Sequence, residues 1–208
     1  MVRKSGWAGL AVAGLAVAAV ASQTIQVLVG LEPDGKARLP TGVRLEGSTF
    51  VVDDPRMSVR VAALDAAGRR DFFAGLGLPD PFRDVLSEEN YVFFRVRFEN
   101  RHKEEDLSFS PVNTMFGNAS ALDEVRLYQT FYRDKAGQEK LAAAGRGLFV
   151  KTLILPPGTH IERLLVYQYD DPYPVRKIPL IFGGILLGRE GMDLELPFRA
   201  DFKKEKRR

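Results

Sequence analysis

The segment YVFFRVRF, at positions 91–98, has the clearest alternation of apolar and polar side chains in the chain. Apolar residues occupy every second position from Val92 to Phe98, and Arg95 and Arg97 stand between them. Successive side chains of a strand point to opposite faces of its sheet, so this spacing predicts a strand with one buried and one solvated face.

The residues that follow this segment predict a turn and a second strand. The polar sequence NRHKEED (100–106) leads into the partly apolar sequence LSFSP (107–111). A short polar connection between two such segments is typical of a β-hairpin. We therefore expect 91–98 and 107–111 to pair with each other in one sheet.

Further segments have the composition or the period of a strand, and turns such as PPGT (156–159) separate them. They lie at 57–64, 147–155, 160–169, 177–182, 185–188 and 192–198. Many short strands punctuated by Gly and Pro predict a mainly β protein, an antiparallel β-sandwich of immunoglobulin-like type. No linker divides the chain, so we expect a single domain over 23–202.

One segment interrupts the strand period early in the chain. AAGRRDFFAGLGLPDPF (66–82) is too rich in Gly and Pro for a strand. We interpret it as a loop that contains at most one helical turn.

A second interruption, 120–145, favours a short helical insertion. Ser120 can cap the helix, and acidic residues follow in its first turn, where the helix dipole favours anions. The apolar face that indicates the helix consists of residues at helical spacing, namely Leu122, Val125, Tyr128 and Tyr132. A strand over 125–132 is the alternative.

The N-terminal sequence MVRKSGWAGLAVAGLAVAAVASQ has the layout of a signal peptide. Arg3 and Lys4 precede an apolar run at 7–20, and Ala-Val-Ala at 19–21 offers the small residues that a signal peptidase accepts. We therefore predict that 1–22 is a cleaved signal peptide and that the protein is exported to the periplasm or cell envelope.

An uncleaved N-terminal anchor is the alternative to cleavage. The sequence TIQVLVGL (24–31) is also mostly apolar, so the run 7–31 exceeds the ~20 residues that cross a bilayer. In that case the N-terminal segment would hold the protein at the inner membrane.

The excess of positive charge comes from the two ends of the chain. The last six residues, KKEKRR (203–208), form a basic tail, which we expect either to be solvated or to contact anionic lipid or an acidic partner. Membrane contact is expected only through this tail or the N-terminal segment. Lys and Arg do not cluster with interleaved aromatic residues, which argues against nucleic-acid binding.

Two quoted segments resemble a known class of protein. NYVFFRVRFENRHKEEDLSFSPVNTMF (90–116) and TLILPPGTHIERLLVYQYDD (152–171), with a helical insert between them, are similar to the exported immunoglobulin-like β-sandwich domains of uncharacterised bacterial envelope proteins. The shared motifs are those of strands and turns. The resemblance implies a scaffold and assigns no catalytic residue.

The sequence offers little for catalysis. It has no cysteine and no G-x-S-x-G motif, and its two histidines, His102 and His160, do not have the spacing of zinc ligands. His160 and Glu162 share one face of a predicted strand and could bind a metal weakly or relay a proton. A solvated strand face explains that pair as well, and we expect the protein not to be an enzyme.

Calcium is the one cofactor for which candidate ligands occur. Asp53 and Asp54 precede a proline, as do Asp170 and Asp171, and both pairs are expected at the ends of strands. If two such loops met, four carboxylates would suit a hard cation such as Ca²⁺. Ordinary Asp-Pro turns are the alternative interpretation.

The most apolar stretch after the leader is IPLIFGGILLG (178–188). It predicts either a buried hairpin around Gly183 and Gly184 or an exposed apolar edge that binds a partner strand. The candidate partner-binding residues are Ile178, Leu180, Phe182, Ile185 and Leu187.

Together these features favour an exported, non-enzymatic scaffold or protein-interaction domain of the bacterial cell envelope that binds an envelope protein. The alternative is a module that binds a small ligand or Ca²⁺ through loop carboxylates.

Overall fold

The computed structural model describes residues 24–85, 91–170 and 175–206. The described chain is mainly β, with twelve strands in two antiparallel sheets and three α-helices. Five strands of the seven-stranded sheet lie side by side in the order β1 (Thr24–Pro33), β12 (Glu190–Lys206), β11 (Lys177–Leu187), β6 (Leu107–Phe109) and β9 (Leu153–Leu155). The other two strands continue from β11: β7 (Thr114–Phe116) pairs with β11, and β8 (Ala119–Ser120) pairs with β7. The five-stranded sheet has the order β10 (His160–Gln168), β5 (Tyr91–Asn100), β4 (Met57–Leu64), β3 (Thr49–Asp54) and β2 (Val43–Glu46).

The two sheets share one core. The buried face predicted for 91–98 is confirmed, because Val92, Phe94, Val96 and Phe98 are all buried. The opposite face is solvated only in part, since Phe93 is buried as well. The ring of Phe94 lies 5.0 Å from that of Phe198 in the other sheet, edge to face. Such aromatic contacts add to the free energy gained by burying the rings and hold the two layers together.

The predicted hairpin of 91–98 with 107–111 is wrong, because the two segments lie in different sheets. β5 pairs with β4 and β10, and β6 pairs with β11 and β9. The polar connection therefore crosses from one sheet to the other. A buried side chain, Asn100, fixes the crossing by donating hydrogen bonds to the backbone carbonyls of Glu105 and Leu155, both at 2.9 Å.

The helical content is larger than predicted. The segment expected to be a loop contains α1 (Ala66–Gly75), whose N-terminus is capped by the carboxylate of Asp65 accepting from the amide of Gly68 at 2.7 Å. The later insertion forms two helices, α2 (Glu124–Phe131) and α3 (Gly137–Gly147).

The predicted cap of the insertion is also corrected. Asp123 caps α2 by accepting from the amide of Arg126 at 2.8 Å, whereas Ser120 belongs to strand β8. An aspartate at this position satisfies an otherwise unpaired amide of the first turn and places a negative charge where the helix dipole favours it.

The helices form a third layer on the outer face of the five-stranded sheet. They enclose a second apolar core made of Phe73, Phe82, Phe93, Leu122, Leu127, Phe131, Ala144, Leu148, Leu164 and Val166. The ends of the insertion also bond to the free edge of β10, since the amide of Leu122 donates to Val166 at 2.8 Å and that of Phe149 donates to Leu164 at 2.9 Å. The insertion therefore covers an edge that would otherwise be open to other strands.

The apolar stretch 178–188 forms a single strand, β11, as far as Leu187, in place of two strands joined by a turn. β11 lies between β12 and the strands β6 and β7, so it is not an edge of the sheet. Its pairing with β12 is interrupted between Phe182 and Ile185, where Gly184 has a φ of 63°. The interruption is a bulge within one strand, and Gly adopts that left-handed conformation without strain.

The basic segment at the C-terminus is part of the fold as far as Lys206. β12 includes 203–206, and Lys206 lies opposite Thr24 in the register of β1 with β12. Residues 1–22, the predicted signal peptide, lie outside the described residues, and 24–31 belongs to β1.

None of the helices in the described part of the chain is long and apolar enough to span a membrane.

Candidate functional site

The structure does not bring the candidate calcium ligands together. Asp53 and Asp54 lie at the turn between β3 and β4, at the end of the sheet where Met57 pairs with Asn100. Asp170 follows β10 at the opposite end of the same sheet, about 30 Å away for strands of this length. Asp171 lies outside the described residues.

The first pair of carboxylates is bound by arginines instead. Asp53 accepts from Arg101 at 2.6 Å and from Arg44 at 3.1 Å, and these hydrogen bonds hold the pKa of Asp53 below its ordinary value. Asp54 accepts from the backbone amide of Arg56 at 2.9 Å, as in the turn interpretation. Over the described ranges, three or more His, Asp or Glu side chains nowhere form a group that could hold a metal ion.

The two histidines have different surroundings. The ring of His102 accepts hydrogen bonds at Nδ1 from the amides of Glu104 and Glu105, at 3.2 and 2.9 Å, and so shapes the crossing between the sheets. His160 is exposed at the start of β10, opposite Glu99 of β5. Glu162 is exposed two residues later, as predicted for a solvated strand face.

The five candidate partner-binding residues of β11 are all buried. Their side chains belong to the core between the two sheets, with exposed fractions of 5% or less for Ile178, Leu180, Phe182, Ile185 and Leu187. Of the two predicted interpretations of this stretch, burial in the core is the one that agrees with their position.

Two surfaces on the outer side of the five-stranded sheet are candidate sites. The helices cover one half of this face, over Phe93, Leu164 and Val166. The other half is open and carries charged side chains. We define the groove between α2 and α3 as the helical groove, and the depression around Arg95 and Arg97 as the arginine groove.

The helical groove has a volume of about 430 Å³ and mostly apolar walls. Its lining residues are Glu124, Val125, Leu127, Tyr128, Leu141, Gly145 and Val150. An ion pair of 2.9 Å between Glu124 and Lys151 lies beside it.

An apolar stripe on α2 borders this groove. Val125 is 64% exposed, Tyr128 56% and Tyr132 50%, although all three are large apolar or aromatic residues. The rings of Tyr128 and Tyr132 stack with their centroids 6.0 Å apart, and the guanidinium of Arg133 lies 5.1 Å from the ring of Tyr132. The sequence indicated the helix from this same stripe, but the buried side chains of α2 are Leu127 and Phe131. Their spacing of four residues is the signal that would have identified the buried face.

A chain of alternating charges crosses the open half of the sheet. Its ion pairs are Arg60–Glu46 (2.7 Å), Glu46–Arg44 (2.9 Å), Arg44–Asp53 (3.1 Å), Asp53–Arg101 (2.6 Å) and Arg101–Glu99 (3.1 Å). All of these side chains are partly exposed, so each pair contributes little to stability. The network instead fixes the positions of the charges, and its arginines lower the pKa of Glu46.

The arginine groove lies beside this network. It has a volume of about 400 Å³ and is lined by Thr49, Arg60, Ala62, Arg95, Arg97, Glu99 and Glu162. Within the described chain, Arg95 and Arg97 form no ion pair, in contrast to Arg60.

Comparison of the chain with known protein families, curated proteins and solved structures found no match. The resemblance to envelope domains therefore stays a prediction from the sequence.

Proposed function

We propose that this chain is an exported, non-enzymatic interaction domain of the bacterial cell envelope, with an immunoglobulin-like β-sandwich fold. In this proposal the helical groove binds an apolar side chain of an envelope protein. The observation that carries the proposal is the exposure of Val125, Tyr128 and Tyr132 along one face of α2.

The composition of the stripe supports a protein partner. Tyrosine and arginine are enriched at interfaces, because tyrosine offers a large contact area with few rotatable bonds and a polar tip. Tyr128 and Tyr132 are further restricted by stacking on each other, so less side-chain entropy is lost on binding. The buried residue Leu127 gives the groove an apolar lining on which a partner side chain can pack.

Export and the lack of catalysis rest on the sequence. The predicted signal peptide at 1–22 supports an extracytoplasmic location. The absence of cysteine and of recognisable catalytic motifs favours binding over chemistry. The position of the helices agrees with this view, because they lie between strands of the β framework, where insertions often carry recognition.

Site-specific crosslinking tests the groove. A photoreactive phenylalanine analogue replaces Val125 in one variant and Ile154, which is 65% exposed and lies on β9 in the other sheet, in a matched control. We expect an envelope protein to crosslink from position 125 and not from position 154. Equal crosslinking from both positions would contradict the proposal.

Affinity for the captured protein gives the decisive measurement. With the purified partner, Val125→Asp should weaken binding by tenfold or more, since a charge would be buried in an apolar contact. Ile154→Asp makes the same change on the other sheet and should leave the affinity unchanged. If the two variants bind alike, the helical groove is not the interaction surface.

A further inference from the structure

The arginine groove has an arrangement of charges that its own residues do not balance. We propose that it binds the phosphate group of a ligand, through the guanidinium groups of Arg95 and Arg97 with Arg60 beside them. This site is separate from the helical groove and from the candidate calcium ligands.

The register of the sheet places like charges side by side. Arg60 of β4 lies directly opposite Arg97 of β5, and Arg95 lies opposite Ala62 on the same outer face. Side chains in such a pair have Cβ atoms ~5 Å apart, and like charges directly opposite destabilise a sheet. An anion held between the two guanidinium groups would remove this repulsion.

The neighbouring carboxylates that the structure describes form no ion pair with Arg95 or Arg97. Glu46 bonds Arg60 at 2.7 Å, and Glu99 bonds Arg101 at 3.1 Å, so both are engaged in the charge network. Glu162 lies opposite Arg97 in the register of β10 with β5, but no ion pair forms between them. The guanidinium groups of Arg95 and Arg97 are thus open to an external acceptor.

The shape of the groove favours a phosphate group. Ala62 and Thr49 have small side chains, so the space between the arginines stays open. Each guanidinium presents a planar fork of donors that matches two oxygen atoms of an anion. Two guanidinium groups that each bind two oxygen atoms need more acceptors than the two oxygens of a carboxylate. A phosphate group supplies three or four.

The carboxylates limit the charge that the groove accepts. Glu162 and Glu99 line the same depression as the arginines, so a polyanion would meet repulsion along with attraction. A ligand with one phosphate group fits this balance. Such a group is offered both by a soluble phosphate ester and by an anionic lipid headgroup.

Titration with inorganic phosphate tests the site, with sodium chloride at matched ionic strength as the reference. We expect the side-chain Nε–Hε NMR signals of Arg95 and Arg97 to shift and saturate, and the Tm of the protein to rise. The affinity of Arg97→Gln for phosphate should be lower than that of the wild type by about tenfold or more, because one charge-assisted hydrogen bond is lost. Arg83→Gln removes an exposed charge on a loop, paired with Asp84 at 3.9 Å, and should leave phosphate binding unchanged.

A second readout separates a binding role of Arg97 from a structural one. Without added anion, Arg97→Gln should melt at a higher temperature than the wild type, because the repulsion with Arg60 is gone. If Arg97→Gln lowers the Tm, Arg97 supports the sheet and the proposal fails. Equal responses of the wild type and Arg97→Gln to phosphate would also overturn it.

Vesicles then distinguish the two sources of the phosphate group. Sedimentation with phosphatidylglycerol vesicles, lost in Arg97→Gln and absent with phosphatidylcholine vesicles, would identify a lipid headgroup. Binding of inorganic phosphate without binding to vesicles would identify a soluble ester. If neither probe binds in an Arg97-dependent manner, the groove is not a phosphate site.

Discussion

The side-chain amide of Asn100 donates a hydrogen bond of 2.9 Å to the backbone carbonyl of Leu155, and this bond joins the five-stranded sheet to the seven-stranded one. The same amide donates to Glu105, and its oxygen accepts from the amide of His102 at 3.0 Å. Asn100 is fully buried, and its bond to Leu155 is made away from water. One side chain thus closes the crossing between the two layers.

Asn100→Asp should destabilise the fold strongly. The carboxylate has the same shape but cannot donate, so two carbonyls lose their partner and a charge is buried. We expect the free energy of unfolding to fall by about 3 kcal/mol, measured by urea denaturation. Asn118→Asp, the same change at an exposed position, should alter it by less than ~0.5 kcal/mol. A loss at position 100 no larger than at 118 would mean that the amide does not hold the sheets together.

Gly147→Ala should disturb the contact between α1 and α3. A Cβ at this position would lie 2.5 Å from the ring of Phe73, which is fully buried and cannot move aside. We expect a loss of ~1–3 kcal/mol in the free energy of unfolding. In the same helix, Gly145→Ala meets nothing within 4 Å and should stabilise by about 0.5–1 kcal/mol, since alanine is the better helix former. Changes of the same sign in both variants would contradict the close approach of the helices.

Asp80→Asn should weaken the attachment of α1. The carboxylate of Asp80 accepts from Arg69 at 2.8 Å, and the exposed fractions of the two side chains are 5% and 2%. The guanidinium of Arg69 also lies 4.7 Å from the ring of Phe93. Removing one charge of a buried pair costs about 3 kcal/mol or more, which thermal or urea unfolding would detect.

A solvent-exposed ion pair provides the control for Asp80→Asn. Glu32 lies 3.7 Å from Arg199, and both side chains are about half exposed. Glu32→Gln should therefore cost less than ~1 kcal/mol. Similar losses for Glu32→Gln and Asp80→Asn would show that burial does not set the strength of the Arg69 pair.

Tyr167→Phe should change the alkaline stability. Burial raises the pKa of the Tyr167 phenol above its ordinary value of 10.0, and its hydroxyl donates to Thr114 at 2.7 Å. Above pH 10.0 the unfolded chain releases this proton more readily than the folded chain does. The free energy of unfolding of the wild type is therefore unaffected by the ionisation of this phenol below pH 10.0 and falls as the pH rises above it. Tyr167→Phe should lose about 1 kcal/mol at neutral pH from the hydrogen bond. It should also lose less stability than the wild type between pH 10 and 11.

An exposed phenol is the matched control for this pH dependence. Tyr128 is 56% exposed, so Tyr128→Phe shows what the same exchange does at a position outside the core. Equal slopes for the wild type and Tyr167→Phe would mean that the buried phenol does not couple folding to pH.

The sequence predicted a mainly β protein and several of its strands, but not how the strands pair. The alternation of 91–98 identifies the face that packs against the other sheet, because a strand directs successive side chains to opposite faces. It contains no information on which sheet the next strand joins. The polar segment 100–106 looks the same in a hairpin and in a crossing, and only the burial of Asn100 distinguishes them.

The helices show a similar limit. The Gly and Pro content of 66–82 concealed α1, because the apolar side chain that holds it, Phe73, packs against residues distant in sequence. On α2 the stripe of Val125 and Tyr128 has helical spacing, yet the opposite side of the helix is buried. Periodicity reveals an amphipathic helix but cannot say which stripe a neighbouring layer will cover.

The candidate sites depended on tertiary structure in the same way. The opposition of Arg60 and Arg97 follows from the register of strands that are more than thirty residues apart in sequence. Asp53 and Asp170 were grouped by their shared Asp-Pro context, but the antiparallel sheet places them at opposite ends. Local composition therefore identified charged turns and could not identify which of them meet.

The pairing of Thr24 with Lys206 also determines how the domain responds to force. β1 and β12 are antiparallel neighbours, so the start of one and the end of the other lie at the same end of the pair. Tension between these two points would peel β1 from β12 one residue pair at a time, because the hydrogen bonds of such a pair lie across the strands and are loaded in succession. A force applied between Thr24 and Lys206 would therefore be resisted by one residue pair at a time.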